Sequence, residues 1–227
     1  MKIRRVKDIL SPPGPQFDGE KGARFKRFIN QVKYDFPILE IGGRGQGQDF
    51  RIFNLDIKPS PDVGIVGDGC ELPVREDALG GVILTGVIEH VKNPMLLMDE
   101  IYRVLIPAGI VYIEAPFIQG FHPDPGDYQR FTLSGLEHLC NRFKRIESGI
   151  CGGPASAVTW ILQNFFSLLL SFGNDSLYRK WSFFWGWVLS PIRFLDAVLK
   201  RVPHAEVISS GFYFMGRKED QQRKESG

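Results

Sequence analysis

Cysteine is scarce in this chain and poorly placed for bridging. The three present, Cys70, Cys140 and Cys151, form neither a C-x-x-C pair nor an even set. That excludes a disulfide framework, argues against a structural zinc site and fits a reducing compartment. An excess of one charge is missing too. Lys and Arg number 28 against 26 Asp and Glu, a net of +2, which gives no argument for nucleic acid as a partner. The N-terminus carries Lys2, Arg4, Arg5 and Lys7, but Ser11-Pro12-Pro13-Gly14-Pro15 stands where a signal peptide would need an apolar segment. No secretory signal is expected. There is no internal repeat. The dinucleotide fingerprint G-x-G-x-x-G is absent as well: started at Gly43 it ends on Gln48, and started at Gly45 it ends on Phe50.

What is present organises itself around residues 37–73. Ile38-Leu39-Glu40-Ile41 is a short apolar run that stops at a turn dense in glycine: Gly42, Gly43, Gly45 and Gly47. Such a run reads as a buried strand. Ile52-Phe53-Asn54-Leu55 ends on Asp56, and Val63-Gly64-Ile65-Val66 leads to Asp68. Apolar strands that each end in Gly or Asp suggest a parallel α/β sheet with a ligand along its carboxyl edge. Glycine lets the backbone come close to that ligand, and a carboxylate at the next strand end can accept both hydroxyls of a ribose. Asp56 follows the turn too soon to leave room for a helix whose N-terminus would hold a pyrophosphate. A nucleoside without phosphate is the better fit.

Taken together, several segments resemble a class I S-adenosylmethionine-dependent methyltransferase of the type 11 group. Glu40-Ile41-Gly42 with the later glycines resembles motif I, although Arg44 and Gln46 occupy two of its usual glycine positions. Gly67-Asp68-Gly69-Cys70-Glu71-Leu72-Pro73 resembles G-D-x-x-x-L-P, Val87-Ile88-Glu89-His90-Val91 resembles L-E-H-V, and Arg103 to Gly109 resembles R-V-L-K-P-G-G. The resemblance covers Ile38 to Gly120. It implies S-adenosylmethionine as cofactor, with Glu40, Gly42, Gly43, Gly45, Asp56, Ile57, Asp68, Gly69, Thr85 and Glu89 around it. Asp56 would take the ribose and Asp68 the adenine amino group. No metal is expected. The altered glycines keep a second class open, a nucleoside-binding fold retained as a non-catalytic scaffold.

The expected fold is α/β: a Rossmann-like, doubly wound, mostly parallel seven-stranded sheet. Its last strand is antiparallel, and a helical hydrophobic insertion lies between strands six and seven. The parts are a lead-in and helix (1–36), the cofactor-binding core (37–149), the insertion (150–204), the final strand (205–217) and a disordered tail (218–227). Phe25, Phe28, Ile29 and Val32 are spaced for one helical face. That helix either covers the cofactor edge or simply packs on the sheet. Asn93-Pro94 opens another helix, with Met95, Met98, Ile101, Tyr102 and Leu105 as its apolar face.

Methyl transfer from a sulfonium needs mainly alignment, and a hydroxyl acceptor adds the need for a base, for which His is the commonest type. His90 and His122 follow strands four and five. Glu89-His90 either lines the active site or orders the loop before Asn93. The stretch Phe121-His122-Pro123-Asp124-Pro125-Gly126-Asp127-Tyr128-Gln129-Arg130-Phe131 mixes His, acids, Tyr and Arg between prolines. It resembles an H-x-P-x-D-Y-x-R-F-T segment of type 11 enzymes associated with polysaccharide biosynthesis. It offers His122 and Asp127 as catalytic candidates beside His90, and Tyr128 and Arg130 for substrate. The alternative is a structural loop pinned by an Asp127–Arg130 pair.

From Ile150 to Asn174 no residue is charged. Arg179-Lys180 follow, then the second apolar run Trp181 to Leu189, then Arg193 and Lys200-Arg201. Trp-rich apolar faces beside basic residues suit a membrane interface. A crossing helix needs about twenty apolar residues, which fits these runs poorly. A lid, core or homodimer contact through 155–200 is the protein-facing alternative. These features lead to an expectation of O-methylation of a sugar or polyprenyl-linked glycan at the cytoplasmic membrane face. A small quinone-type lipid is the nearest alternative acceptor. The enzyme would be cytoplasmic, or peripheral on the inner face of the cell membrane.

Overall fold

The computed structural model describes residues 11–14, 16–43, 49–61, 63–123 and 125–219. Two compact units emerge. One comprises Glu20–Phe117, Phe121–Cys151 and the chain from Gly211 onward; the other comprises residues up to Gly19, Ile118–Gly120 and Gly152–Ser210.

The first unit is built on a sheet of seven strands among the described residues. They are β1 (Ile38–Ile41), β2 (Ile52–Asp56), β3 (Ile65–Val66), β4 (Leu79–Thr85), β5 (Leu105–Pro116), β6 (Phe143–Gly152) and β7 (Gly211–Lys218). The order is β3-β2-β1-β4-β5-β7-β6. Neighbours from β3 through β5 are parallel, and β7 runs antiparallel to β5. Parallel strands are covered on both faces and so read as continuous apolar runs. Here successive residues split between two cores. Leu39, Val82, Leu84, Val111 and Ile113 pack toward α2 (Pro94–Val104) and α3 (Leu133–Leu139). Ile38, Ile83, Ile110 and Tyr112 pack with Phe28 and Val32, at α1 (Lys21–Gln31) and its C-terminal end.

Helix α1 therefore packs on the sheet. Its buried positions are Arg24 and Phe28, with Val32 following, while Phe25 and Ile29 are only partly covered. Arg24 is 1% exposed because Tyr112 Oη accepts from its Nε at 3.2 Å, Glu114 lies at 3.5 Å and its guanidinium stands 4.6 Å from the Tyr213 ring. In α2, Asn93 Oδ1 accepts from Leu96 N and Pro94 takes the first position, as the sequence suggests. The buried face is Leu97, Met98, Ile101 and Val104; Met95 is exposed.

Strand β5 begins directly at Leu105 rather than after the Pro107–Gly109 turn. Leu79 pairs with Leu105 and Gly81 with Ile110, so the intervening residues bulge, with Ala108 at φ 66. At the other end of the chain, β7 extends to Lys218, which the sequence places in the tail. Its ammonium donates to Leu105 O at 2.6 Å and to Asp77 at 2.7 Å, which fixes it.

The second unit is helical: α4 (Pro154–Ser171), α5 (Asp175–Leu189), a 3₁₀ segment Ser190–Leu195, α6 (Asp196–Leu199) and a last 3₁₀ turn, Ala205–Ile208. Phe172 and Gly173 at positive φ end α4, and Asn174 Oδ1 caps α5 by accepting from Ser176 N and Leu177 N. The N-cap of α4, Gly153, has no side chain to offer. Instead the buried carboxylate of Asp196 accepts from Ala155 N at 2.8 Å, Ser156 N at 2.9 Å and Ser156 Oγ at 2.6 Å. A negative charge at a helix N-terminus also meets the favourable end of the helix dipole.

Helix α4 is inside-out. Its buried positions are small or polar, Pro154, Ala155, Ser156, Ala157, Thr159, Ser167 and Ser171, with Gln163 Nε2 donating to Ser182 O of α5 at 3.0 Å. Asn164 accepts from Tyr178 Oη at 2.5 Å, and Phe166 lies 4.8 Å from Trp185. Its exposed side is apolar: Ile161, Phe165, Leu168 and Leu169, followed by Phe172 at 88% exposure. In α5, Phe183, Phe184, Trp187 and Val188 are exposed as well. No helix among the described residues is long and apolar enough to cross a membrane.

Removing the ring of Phe28, fully buried against Gly81 and Tyr112, tests the α1–sheet contact. Phe28→Ala should lose about 3–5 kcal/mol of stability, measured by denaturant unfolding followed by far-UV circular dichroism.

Candidate active site

The parallel register brings the ends of β1, β2, β3 and β4 to one edge. Ile41 pairs with Leu55 and with Leu84, and Asp56 pairs with Val66. Directly beyond β1, Gly42 has φ 69, and a Cβ there would stand 2.4 Å from Val87 Cγ2. Only glycine fits both the conformation and the space. At Gly43 a Cβ would overlap the Glu40 carboxyl group. Asn54 ties the neighbouring ends together: its Nδ2 donates to Gly43 O at 3.1 Å and its Oδ1 accepts from Gly64 N at 2.7 Å.

The two strand-end carboxylates share this edge. Asp56 Oδ1 accepts from Lys58 N at 2.8 Å, and Asp68 Oδ1 accepts from Cys70 N at 2.9 Å. Each loop is thereby locked to its own acid. Ile57 and Val66 are both 57% exposed there, an apolar surface that a purine could cover. The Leu72–Val74 segment after Asp68 is held from α2. Arg103 forms a bidentate pair with Glu100, and its guanidinium also donates to Val74 O at 2.9 Å and Leu72 O at 3.2 Å.

At the ends of β4 and β5 a second group of side chains gathers. The 3₁₀ turn Ile88–His90 carries Glu89, 2% exposed, and His90. The segment with His122 is stitched alongside: Tyr128 N donates to Glu89 O at 2.8 Å, and Gln129 Nε2 donates to Val91 O at 2.8 Å. Phe131 N returns to Pro116 O at the end of β5. As a result Glu89 Oε1 lies 3.6 Å from His122 Nε2 and 3.8 Å from His90 Nε2, and the imidazoles meet edge to face with centroids 5.3 Å apart. Burial pushes the Glu89 carboxyl up from its usual range, while the backbone and both histidines pull the other way.

Sequence reading had no signal for two anchors of this cluster. One is the Gly126 carbonyl, which accepts from His90 Nδ1; the other is the Gln129 side chain. A carbonyl has no residue-type signature, and an exposed-looking Gln reads as solvated.

Asp127 was offered as catalytic; Arg130 binds both of its oxygens, and Oδ2 also accepts from His122 N at 2.9 Å. The guanidinium holds this carboxyl well below the usual range, so it is ionised and occupied across neutral pH. Its Oδ2 lies 3.7 Å from His122 Nδ1. Arg130, expected to meet substrate, is spent on Asp127 and on Gln129 O, with Nη2 3.5 Å from His122 Nδ1. Tyr128 is half exposed beside Gly126. The absence of a metal was expected; Glu89, His90 and His122 nonetheless offer three ligand atoms within 4.8 Å of one another. Thr85 closes β4, and Gly69 packs against Leu97 and Ile41. Gly45 lies outside the described residues, as do Arg44, Gln46 and Asp124.

A family model described as a methyltransferase domain, of the type 11 group, matches residues 48–113. That segment, within the sheet unit, supports a class I S-adenosylmethionine-dependent methyltransferase of the type 11 group. It acts with S-adenosylmethionine, and the chain is a methyltransferase dependent on that cofactor. The match begins beyond the glycine-rich turn, where motif I is altered, and stops before His122. No curated protein matches the sequence. Solved methyltransferase structures share the fold. One is a methyltransferase from Archaeoglobus fulgidus, 16% identical, with 86% of this chain and 92% of that one covered and a TM-score of 0.53. A putative sarcosine dimethylglycine methyltransferase from Galdieria sulphuraria is 10% identical over 88% and 84%, at 0.52. Phosphoethanolamine N-methyltransferase 2 of Haemonchus contortus, in complex with S-adenosylmethionine, is 18% identical, at 0.52. That last match covers 87% of this methyltransferase but 52% of the nematode chain.

The edge fits the cofactor: a glycine turn with no room for a side chain, two carboxylates and exposed aliphatic surface. Asp56→Ala should weaken S-adenosylmethionine binding by roughly 1–3 kcal/mol, the value of charge-assisted hydrogen bonds to a ribose. Isothermal titration measures it, and an unchanged affinity would remove Asp56 from that role.

Proposed function

We propose that this methyltransferase moves a methyl group to a hydroxyl of a sugar or polyprenyl-linked glycan at the cytoplasmic face of a membrane. The observation that carries the lipid-linked acceptor is the inside-out pair α4–α5. In water a helix buries its apolar face. In an apolar surrounding, contacts between helices use small and polar residues while apolar side chains face outward. Helix α4 follows the second pattern, and Arg179 and Lys180 lie exposed on α5. Neither helix spans a bilayer, so the pair lies in the interface, where basic groups add attraction to anionic lipid.

The chemistry rests on the sheet edge. Gly42 and Gly43 admit the cofactor to the backbone, Asp56 holds its ribose hydroxyls, and Asp68 with Gly69 faces the adenine. When bound, S-adenosylmethionine supplies a methyl group already activated on a sulfonium. The Glu89–His90–His122 cluster receives the acceptor hydroxyl and takes up its proton as the oxygen attacks. The methyl group would form its bond to that oxygen as its bond to sulfur breaks, the bonding pair staying on sulfur as a neutral thioether. Asp127 and Arg130 keep His122 aimed. Gly42 packs against Val87, two residues before Glu89, so cofactor turn and cluster are neighbours on the edge.

Labelled S-adenosylmethionine incubated with membrane extracts tests the acceptor. Label should enter organic-extractable glycolipid, and His122→Ala should slow this about 10²–10⁴-fold, the usual contribution of a positioned acid–base group, with cofactor affinity unchanged. Label found only in water-soluble products would reject the lipid-linked acceptor. Label in a non-glycosylated isoprenoid would favour the quinone-type lipid. Separately, the wild-type chain should float with anionic liposomes, and the double substitution Phe165→Glu, Leu169→Glu should abolish flotation while cofactor binding persists. A wild type that stays at the bottom of the gradient removes the membrane from the proposal.

A further inference from the structure

We propose that Glu89, His90 and His122 bind one divalent transition-metal ion, through Glu89 Oε1 and the Nε2 atoms of the two histidines. The spacing is the first argument. Ligands about 2.0–2.1 Å from a tetrahedral ion stand about 3.4 Å from one another. Glu89 Oε1 lies 3.6 Å from one Nε2 and 3.8 Å from the other, and all three ligand atoms fall within 4.8 Å.

Proton placement is the second argument. The Gly126 carbonyl can only accept, so the hydrogen bond it makes puts the proton of neutral His90 on Nδ1. His90 Nε2 is then left facing Glu89 Oε1, 3.8 Å away. A ligating imidazole characteristically gives its other N–H to a carbonyl or carboxylate. His90 does so to Gly126 O, and His122 Nδ1 lies 3.7 Å from Asp127 Oδ2. Third, Glu89 Oε2 is buried and makes no hydrogen bond to a described residue, although an ordinary buried carboxylate would be satisfied.

Two imidazoles and one carboxylate select zinc, iron, cobalt or nickel over magnesium or calcium. Three protein ligands leave a position open for a ligand oxygen. For the acceptor hydroxyl, this inference rests on the preceding proposal. With the ion in place, a hydroxyl bound at the open position loses its proton more readily, and the proton passes to solvent instead of to the cluster. His122 is then a ligand, and Asp127 its positioning residue.

The test uses the untagged full-length chain, stripped by chelator and dialysed against Co²⁺ or Zn²⁺ alone. One equivalent of Co²⁺ should be retained, with visible d–d absorption shifted from that of the aqueous ion. His90→Ala and His122→Ala should lose it. The near-isosteric Glu89→Gln should do the same with its circular dichroism unchanged. Asp127→Asn should weaken binding about 10–100-fold. No retained metal at millimolar Co²⁺ or Zn²⁺ overturns the proposal. So does binding that Glu89→Gln and His122→Ala leave unaltered. A chain that binds Co²⁺ but methylates no hydroxyl sinks the acceptor reading and keeps the metal site. Full methyl transfer by a metal-free chain does the reverse.

Discussion

The in-phase alignment of β1 between β2 and β4 is the constraint on which the rest depends. Because Ile41 pairs with both Leu55 and Leu84, Gly42, Asp56 and Thr85 all leave the sheet at one level. Parallel pairing fixes this, since every strand must end on the same side. A slip of one residue would turn the core faces over and carry the side chains to the wrong surface. With the edge fixed, the cofactor side and the histidine cluster follow from which residue happens to stand at each end.

The class of fold was legible because strand ends in this architecture are marked by composition. Gly42, Asp56 and Asp68 each interrupt an apolar run, and an interruption of that kind survives without any knowledge of neighbours. The helix start at Asn93 was legible for the same reason: a cap acts within three residues, so sequence contains both partners. The position of Glu89 was legible, but its partnership with His122 was not. That contact depends on backbone stitches from Tyr128 and Gln129, which have no pattern in one dimension.

Two features escape a reading by periodicity for one reason. Arg24 is buried against tyrosine and glutamate. In α4 the serine and threonine positions lie on the buried side. A polar group can be buried once its hydrogen bonds are satisfied. Thr159 Oγ donates to Ala155 O at 2.7 Å, Ser167 Oγ to Gln163 O at 2.5 Å and Ser171 Oγ to Leu168 O at 2.8 Å. Each hydroxyl is satisfied by its own helix and asks nothing of a partner. Periodicity measured on hydrophobicity alone then points to the wrong side of such a helix.

The long-range cap of α4 bears on how the protein is made. Ala155 and Ser156 leave the ribosome well before the residue that ties them down, and the whole apolar hairpin comes between. Until Asp196 emerges, the start of that helix has open donors. The nascent chain therefore passes through an interval with an uncapped helix, which ends only when the short turn after the hairpin arrives. Translation beside a bilayer, or under the cover of a holdase, would shelter that interval, and a stop codon placed just ahead of Asp196 would leave it permanent.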